Sequence, residues 1–253
     1  MKQLRWIYCL LLLTPSIVNA AVKCEQFTIN GAQSWHPYSY FKNGNLGGPY
    51  MGLIADVTRA VMSELGVKVI AGKPRPWKRL LKDLEFGQLD GLSGAYFTEL
   101  RAKQFIYSPA IGNDKISIFV KKGHEFNFQT LADLLGKKGL RPAGGSYGET
   151  FDKYAREHLL FIESNEDQRM ASMLMRGRAD YMVLAYHHGK KLLRQMGLED
   201  KIVALKNPVT SNNVYLLFSR SSPCAELSDD FKETFNKMME NGKLDPIYQR
   251  YHQ

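Results

Sequence analysis

Arg101 is the residue whose type and setting point most directly to chemistry. It closes the stretch Gly87 to Arg101, GQLDGLSGAYFTELR. Its guanidinium is planar, forked and permanently charged, a match for a carboxylate. Three residues earlier Thr98 reads as a helix N-cap, with Glu99 in the first turn. Upstream, Gln88 to Ser93 reads as a buried strand, and Ser93, Gly94, Ala95 and Tyr96 break its pattern. A strand ending in small residues beside a helix start offers unpaired N–H donors and the positive end of a helix dipole. Together these make a seat for a small organic acid. A surface ion pair for Arg101 is the other reading that the residues allow.

A second candidate is the run Gly144 to Thr150, GGSYGET, a glycine-rich turn opening a helix. It lacks the Gly-Lys-Ser/Thr ending of a P-loop, yet its backbone N–H groups can approach an anion at a helix start. A tight turn needing positive φ explains the same glycines. Trp35, Tyr38, Trp77, Tyr96 and Tyr147 fall at loops and strand ends, not at helical core spacing, which favours cleft lining over core packing. The six histidines are scattered, so no metal site and no cofactor is expected. No nucleophile–His–acid constellation is visible, and Glu149 is the nearest acid or base to the candidate turns. The chain therefore reads as a binder and not an enzyme.

These residues need elements to position them, and the chain repeats its own. Trp77 to Leu92, WKRLLKDLEFGQLDGL, aligns without gaps on Asp167 to Met182, DQRMASMLMRGRADYM. In both, an amphipathic helix stops at glycine (Gly87, Gly177) and leads through aspartate (Asp90, Asp180) into an apolar strand. Two similar α/β lobes follow from this. Phe27 to Asn30 reads as a first strand, Leu53 to Leu65 as a helix stopped by Gly66, and Val67 to Ala71 as the next strand. Lys115 to Val120 is a further strand, and Leu131 to Leu134 a short helix. Asn43-Gly44-Asn45 marks a turn. Asp56, Asp90 and Asp180, at element starts, read as structural acceptors.

A chain of 253 residues suits two ordinary lobes, and no long linker separates them. Lys2 and Arg5, the apolar run Trp6 to Leu13, and Val18-Asn19-Ala20 read as a signal peptide over residues 1–20, cleaved near Ala20. The expected compartment is therefore the periplasm. Without that leader the formal charge of +9 falls by two to +7. The basic residues are spread over amphipathic helices, so no nucleic-acid partner is expected. Cys9 leaves with the leader, and the remaining Cys24 and Cys224 are expected to pair in an oxidising compartment.

From Phe27 to Tyr251 the chain resembles the extracellular solute-binding proteins of family 3, the polar amino-acid binding proteins of ABC importers. The likeness rests on ordered pieces: Pro37-Tyr38-Ser39-Tyr40, Gly52 with Asp56, Gly87-Gln88-Leu89-Asp90, and Thr98 to Lys103. It continues through Phe105 to Pro109, Leu131 to Leu134, Gly145 to Gly148, Gly177 to Asp180, Asn241 to Leu244 and Tyr248 to Tyr251. It implies an α/β fold of type II, two lobes each with a mixed sheet flanked by helices, and a ligand cleft between them. The implied boundaries are residues 21–111 for lobe one, 112–210 for lobe two, and 211–253 returning to lobe one. That topology puts both cysteines in lobe one.

By position, the resemblance makes Arg101 the carboxylate partner, with Ser93, Gly94 and Tyr96 as lobe-one contacts. Trp35 and Trp77 flank the ligand, and Ser146, Tyr147 and Gly148 form the second lobe's anion-facing turn. Where relatives place an aspartate for the ligand's ammonium, this chain has Ala185, with Tyr186 beside it as a cation–π or hydrogen-bond contact. An unpaired buried cation is costly, so the expectation from Ala185 is a preference for acids lacking an α-ammonium. An alternative places the cation against Tyr186, Trp35 or Trp77. The implied role is capture of a small carboxylate ligand, as a monomer, for an inner-membrane ABC permease. A sensor docking on a membrane receptor, or a dehydratase or lytic enzyme on the same scaffold, are the other classes.

Overall fold

The computed structural model describes residues 24–43 and 47–251. The leader, residues 1–20, and most of the Asn43-Gly44-Asn45 turn lie outside the described residues. Among them no helix is long and apolar enough to cross a membrane.

The first half of the chain builds β1 (Gln26–Gly31), a small sheet of β2 (Ser34–Trp35), β3 (Ser39–Phe41) and β4 (Tyr50–Met51), then α1 (Leu53–Glu64) and β5 (Lys68–Ala71). It continues with α2 (Trp77–Glu85), β6 (Gly91–Tyr96), α3 (Glu99–Gln104), β7 (Phe105–Tyr107) and the long β8 (Gly112–Lys121). Next come a 3-10 turn at Leu131–Leu134, β9 (Lys138–Pro142), α4 (Glu149–His158), β10 (Leu160–Ser164), α5 (Asp167–Met175), β11 (Tyr181–Ala185) and α6 (Tyr186–Gln195). The chain ends through β12 (Ile202–Ala204), β13 (Thr210–Ser219), α7 (Leu227–Glu240) and α8 (Asp245–Tyr251).

The large sheet is mixed, in the order β10-β9-β11-β8-β13-β6-β1-β5. At one end β1 lies parallel between β5 and β6; at the other β9 lies parallel between β10 and β11. The two ten-residue strands β8 and β13 join the ends. Ile116 to Phe119 of β8 pair with β11, while Gly112 to Ile116 pair with β13, whose later residues pair with β6. This is the two-lobe architecture expected from the sequence.

The internal repeat is the physical basis of the two ends. The helices α2 and α5 occupy the same positions of the aligned segments, and Gly87 and Gly177 follow them at φ 69° and 66°. Asp90 and Asp180 then do the same work. Asp90 Oδ2 accepts from the Thr28 N–H of β1 at 2.7 Å, and Asp180 Oδ2 from the Lys138 N–H of β9 at 2.7 Å. Each carboxylate thus satisfies an N–H at the start of the central parallel strand. Asp56 is a structural acceptor too, taking Tyr251 Oη at 2.7 Å. Buried aromatics such as Phe27, Phe218 and Phe231 fill one end, and Phe119 and Tyr181 belong to the other.

Strand bounds depart from the sequence reading at β6. The strand begins at Gly91 and runs through Ser93, Gly94, Ala95 and Tyr96, the residues expected to break it. All six of its residues are buried. β1 pairs with β6 as far as Ser93, and β13 pairs along the other side to Tyr96, with a register shift between Tyr215 and Leu216 that leaves Gly94 as the extra residue at positive φ.

Candidate functional site

Thr98 caps α3 as expected: its hydroxyl accepts from the Arg101 N–H at 3.2 Å. The cap orients the first turn so that the Arg101 guanidinium folds back and donates from Nη1 to the Tyr96 carbonyl at 3.2 Å. Its Cζ lies 5.8 Å from the Trp77 ring centroid, a cation–π contact. No ion pair among the described residues involves Arg101. Burial pulls its pKa down from the usual value, with Tyr107 and Asp152 opposing that shift. An arginine remains charged regardless.

Arg101 lines a cavity of about 200 Å³ between the two ends of the sheet. Ala32, Trp35, Trp77, Ala95 and Tyr96 form its walls on one side; Ser146, Tyr147, Asp167, Leu184, Ala185 and His188 form those on the other. The repeat places these residues in matching pairs. Trp77 and Asp167 are the first residues of α2 and α5, and Ala95 and Ala185 stand five positions after Asp90 and Asp180.

Of the sequence-predicted contacts, Trp35, Trp77, Tyr96, Arg101, Ser146 and Tyr147 meet at this cavity. Ser93, Gly94, Gly148 and Tyr186 are not among its lining residues. Ser93 is fully buried within β6. Gly94 has φ 93°, and a Cβ there would come within 3.0 Å of the Trp35 ring, so its bare Cα makes room for the indole. Gly148 is the N-cap of α4, packed against Asn212 of β13. Tyr186 is 36% exposed and rests its ring on His187. Glu149 accepts from the Glu99 N–H at 3.1 Å and lines a neighbouring cavity of about 470 Å³, which shares Arg101 and Ser146.

The turn before α4 is organised from within. Asp152 accepts from the Ser146 hydroxyl and from the Tyr147 N–H at 3.1 Å, and Asn212 donates to the Tyr147 carbonyl at 2.8 Å. The Tyr147 hydroxyl donates to the Val183 carbonyl at 2.8 Å, fixing the ring as a wall.

The sequence reading did not gather three residues that the fold brings here: Asp114, Asp167 and His188. Asp114 of β8 is fully buried behind Trp35 and Tyr96. It accepts from Trp35 Nε1 at 2.9 Å and from Tyr96 Oη at 2.7 Å, while its Oδ1 is buried without a partner. Burial raises its pKa from 3.8 to about 6, against the hydrogen bonds of Tyr96 and Trp35 and the nearby His188. Asp167 and His188 line the cavity, with Asp167 Oδ2 2.7 Å from His188 Nε2. The repeat signalled Asp167, since it aligns with Trp77; nothing in sequence spacing signalled Asp114.

Asp114 carries a stability prediction. An acid with a raised folded pKa keeps its proton in the folded state where the unfolded chain has lost it. Stability therefore falls as pH rises from about 4 to about 6, by about 3 kcal/mol for a shift of this size, and the loss persists at neutral pH. Asp114→Asn keeps an acceptor for Trp35 and Tyr96. The variant is expected to be more stable than wild type at pH 7 and to lose the decline between pH 4 and 6. Urea unfolding across that range measures both; a less stable variant at pH 7 would show the ionised carboxylate to be net stabilising.

A model of the bacterial extracellular solute-binding proteins, family 3, matches residues 27–253. No curated protein sequence matches the chain. Among solved structures, an ancestral arginine-binding protein bound to arginine superposes with TM-score 0.75 at 22% identity, covering 90% of this chain and 99% of that one. A histidine kinase sensor domain similar to periplasmic binding proteins gives 0.75 at 21% identity, covering 89% and 95%. An ancestral amino acid-binding protein, a precursor of cyclohexadienyl dehydratase, gives 0.71 at 22% identity, covering 90% and 96%. At these identities the structures share the fold with this chain.

Proposed function

Because the chain belongs to the bacterial extracellular solute-binding proteins, family 3, we propose that it captures a small carboxylate-bearing ligand in the periplasm and delivers it to an inner-membrane ABC importer. The observation that carries this is Arg101: a guanidinium with no carboxylate partner among the described residues, aimed into a cavity walled by both ends of the sheet. A charge desolvated in this way is stabilised by an anion that fits its fork. Trp77 stacks against the same guanidinium, and Trp35, Tyr96 and Tyr147 supply apolar walls, the usual composition of a small-molecule site.

The lobes are taken as residues 21–111 with 211–253, and 112–210. The starts of β8 at Gly112 and of β13 at Thr210 support these boundaries. Closure of the lobes about these two strands would cover the ligand. The contacts assigned to the ligand are Arg101, Trp35, Trp77, Tyr96, Ser146 and Tyr147. The chain acts as a binder, monomeric and without a cofactor.

Native mass spectrometry of gently purified protein tests the reading. The expected result is a mature chain beginning near Ala21 that carries a small acid, released unchanged on unfolding. Recovery of a chemically altered acid after incubation would replace binding by catalysis. A protein that binds no carboxylate from a broad panel would overturn the proposal.

A further inference from the structure

One contact that crosses between the two ends of the sheet joins two basic groups. His36, in the loop between β2 and β3, brings Nδ1 to 3.1 Å from Lys191 Nζ of α6. The Tyr40 ring of β3 lies beside the imidazole, with centroids 3.7 Å apart, and the same ammonium stands 5.3 Å from its centre. Lys191 is thus gripped by a ring nitrogen and an aromatic face. An ammonium carries donors alone, so Nδ1 accepts and the His36 ring is neutral in this arrangement. A proton on Nδ1 would remove the acceptor and set two cations 3.1 Å apart.

The surroundings offer that extra charge no partner. Burial first, then Lys191 and His188 of α6, hold the His36 imidazole down at about 3 from the usual 6.5. The nearby carboxylates are engaged elsewhere. Asp167 is 2.7 Å from His188, and Asp114 accepts from Trp35 and Tyr96. Asp56, which acts on Tyr40, is held by Arg59, Arg250 and Tyr251. No ion pair among the described residues involves Lys191. The grip on Lys191 therefore depends on a neutral His36.

We propose that His36, Tyr40 and Lys191 form a clasp that holds the two lobes closed, and that a proton on His36 opens it, so that acid conditions release the ligand. This rests on closure of the lobes about β8 and β13 and adds control by pH to it. With the lobes apart, Lys191 and His188 withdraw together on α6 and the ring meets water. The open form then takes a proton near 6.5, whereas the closed form resists it down to about 3. The clasp is at full strength above about pH 7, and the closed-to-open ratio falls about tenfold for each pH unit below about 6.

The test follows lobe separation and His36 protonation together from pH 8 to 4, in the mature protein with no acid added. Spin labels at Lys103→Cys of α3 and Glu157→Cys of α4, both exposed and outside the two cavities, report the distance between the lobes. Cys24 and Cys224 are joined to one another and take no label. Proton NMR of the His36 ring reports its charge. In wild type the labels are expected to separate as His36 protonates, with a common midpoint below 6.5. The closed-to-open ratio should fall about thirtyfold between about pH 8 and about pH 5. His36→Gln keeps an acceptor for Lys191 and should hold the pH 8 distance throughout. Lys191→Gln keeps a donor for His36 without the charge and should raise the His36 midpoint. A label distance that stays constant while His36 protonates, a wild-type response in His36→Gln, or a wild-type His36 midpoint at 6.5 would overturn the clasp. Because no acid is added, its failure leaves the carboxylate reading of Arg101 standing.

Discussion

Arg101→Ala is expected to weaken binding of the native ligand by about 30-fold or more, a loss of roughly 2–5 kcal/mol. The effect should be large because the guanidinium is preorganised before any ligand arrives. The Thr98 cap fixes the first turn of α3, the Tyr96 carbonyl holds Nη1, and Trp77 covers the face of the fork. A ligand carboxylate then loses little to ordering the side chain and gains a charge-assisted contact away from bulk water. Arg101→Lys should recover only part of the loss, since an ammonium cannot reproduce a bidentate geometry. The fold should survive either change, because no ion pair among the described residues depends on this side chain. Calorimetry against the ligand identified by mass spectrometry reads the effect; wild-type affinity in Arg101→Ala would remove Arg101 from the site.

Loss of the Cys24–Cys224 disulfide is expected to have the largest effect on stability. The bridge joins residues 200 apart with Cα atoms at 5.2 Å. Cys224 is buried in the core cluster, and Cys24 packs against it just before β1. The bond thus ties the start of the central strand of one end to the segment entering α7. Closing so long a loop restricts the unfolded chain, and on the chain-entropy model this contributes up to roughly 5 kcal/mol. A double Cys24→Ser, Cys224→Ser variant is therefore expected to unfold at markedly lower urea concentration than the oxidised protein. Adding reductant should lower the wild-type midpoint and leave the variant where it is. Equal midpoints for the oxidised wild type and the variant would show that the bridge contributes nothing to stability.

Much of this protein was legible in the residues because local rules govern those parts. Periodicity and a glycine stop located α1 almost to the residue, and the glycines Gly87 and Gly177 located the ends of α2 and α5, since an amphipathic face and a left-handed stop are written within one turn. The repeat foretold that Asp90 and Asp180 act alike, and two 2.7 Å hydrogen bonds to strand N–H groups are the result. The resemblance gathered Arg101, Trp35, Trp77, Tyr96, Ser146 and Tyr147 in advance, and all six meet at one cavity. Tertiary structure alone decided the rest. Ala95 and Tyr96 became strand because β13 pairs with them beyond the point, Ser93, where β1 stops, which no local propensity records. Gly94 matters for the indole it admits, a contact 59 positions away in sequence that only packing creates. Asp114 reaches the site because β8 crosses between the two ends, and Asp167 meets His188 because α5 and α6 flank the same strand. Sequence spacing encodes what one element can do; the charge balance of a cavity depends on which elements the sheet order brings face to face.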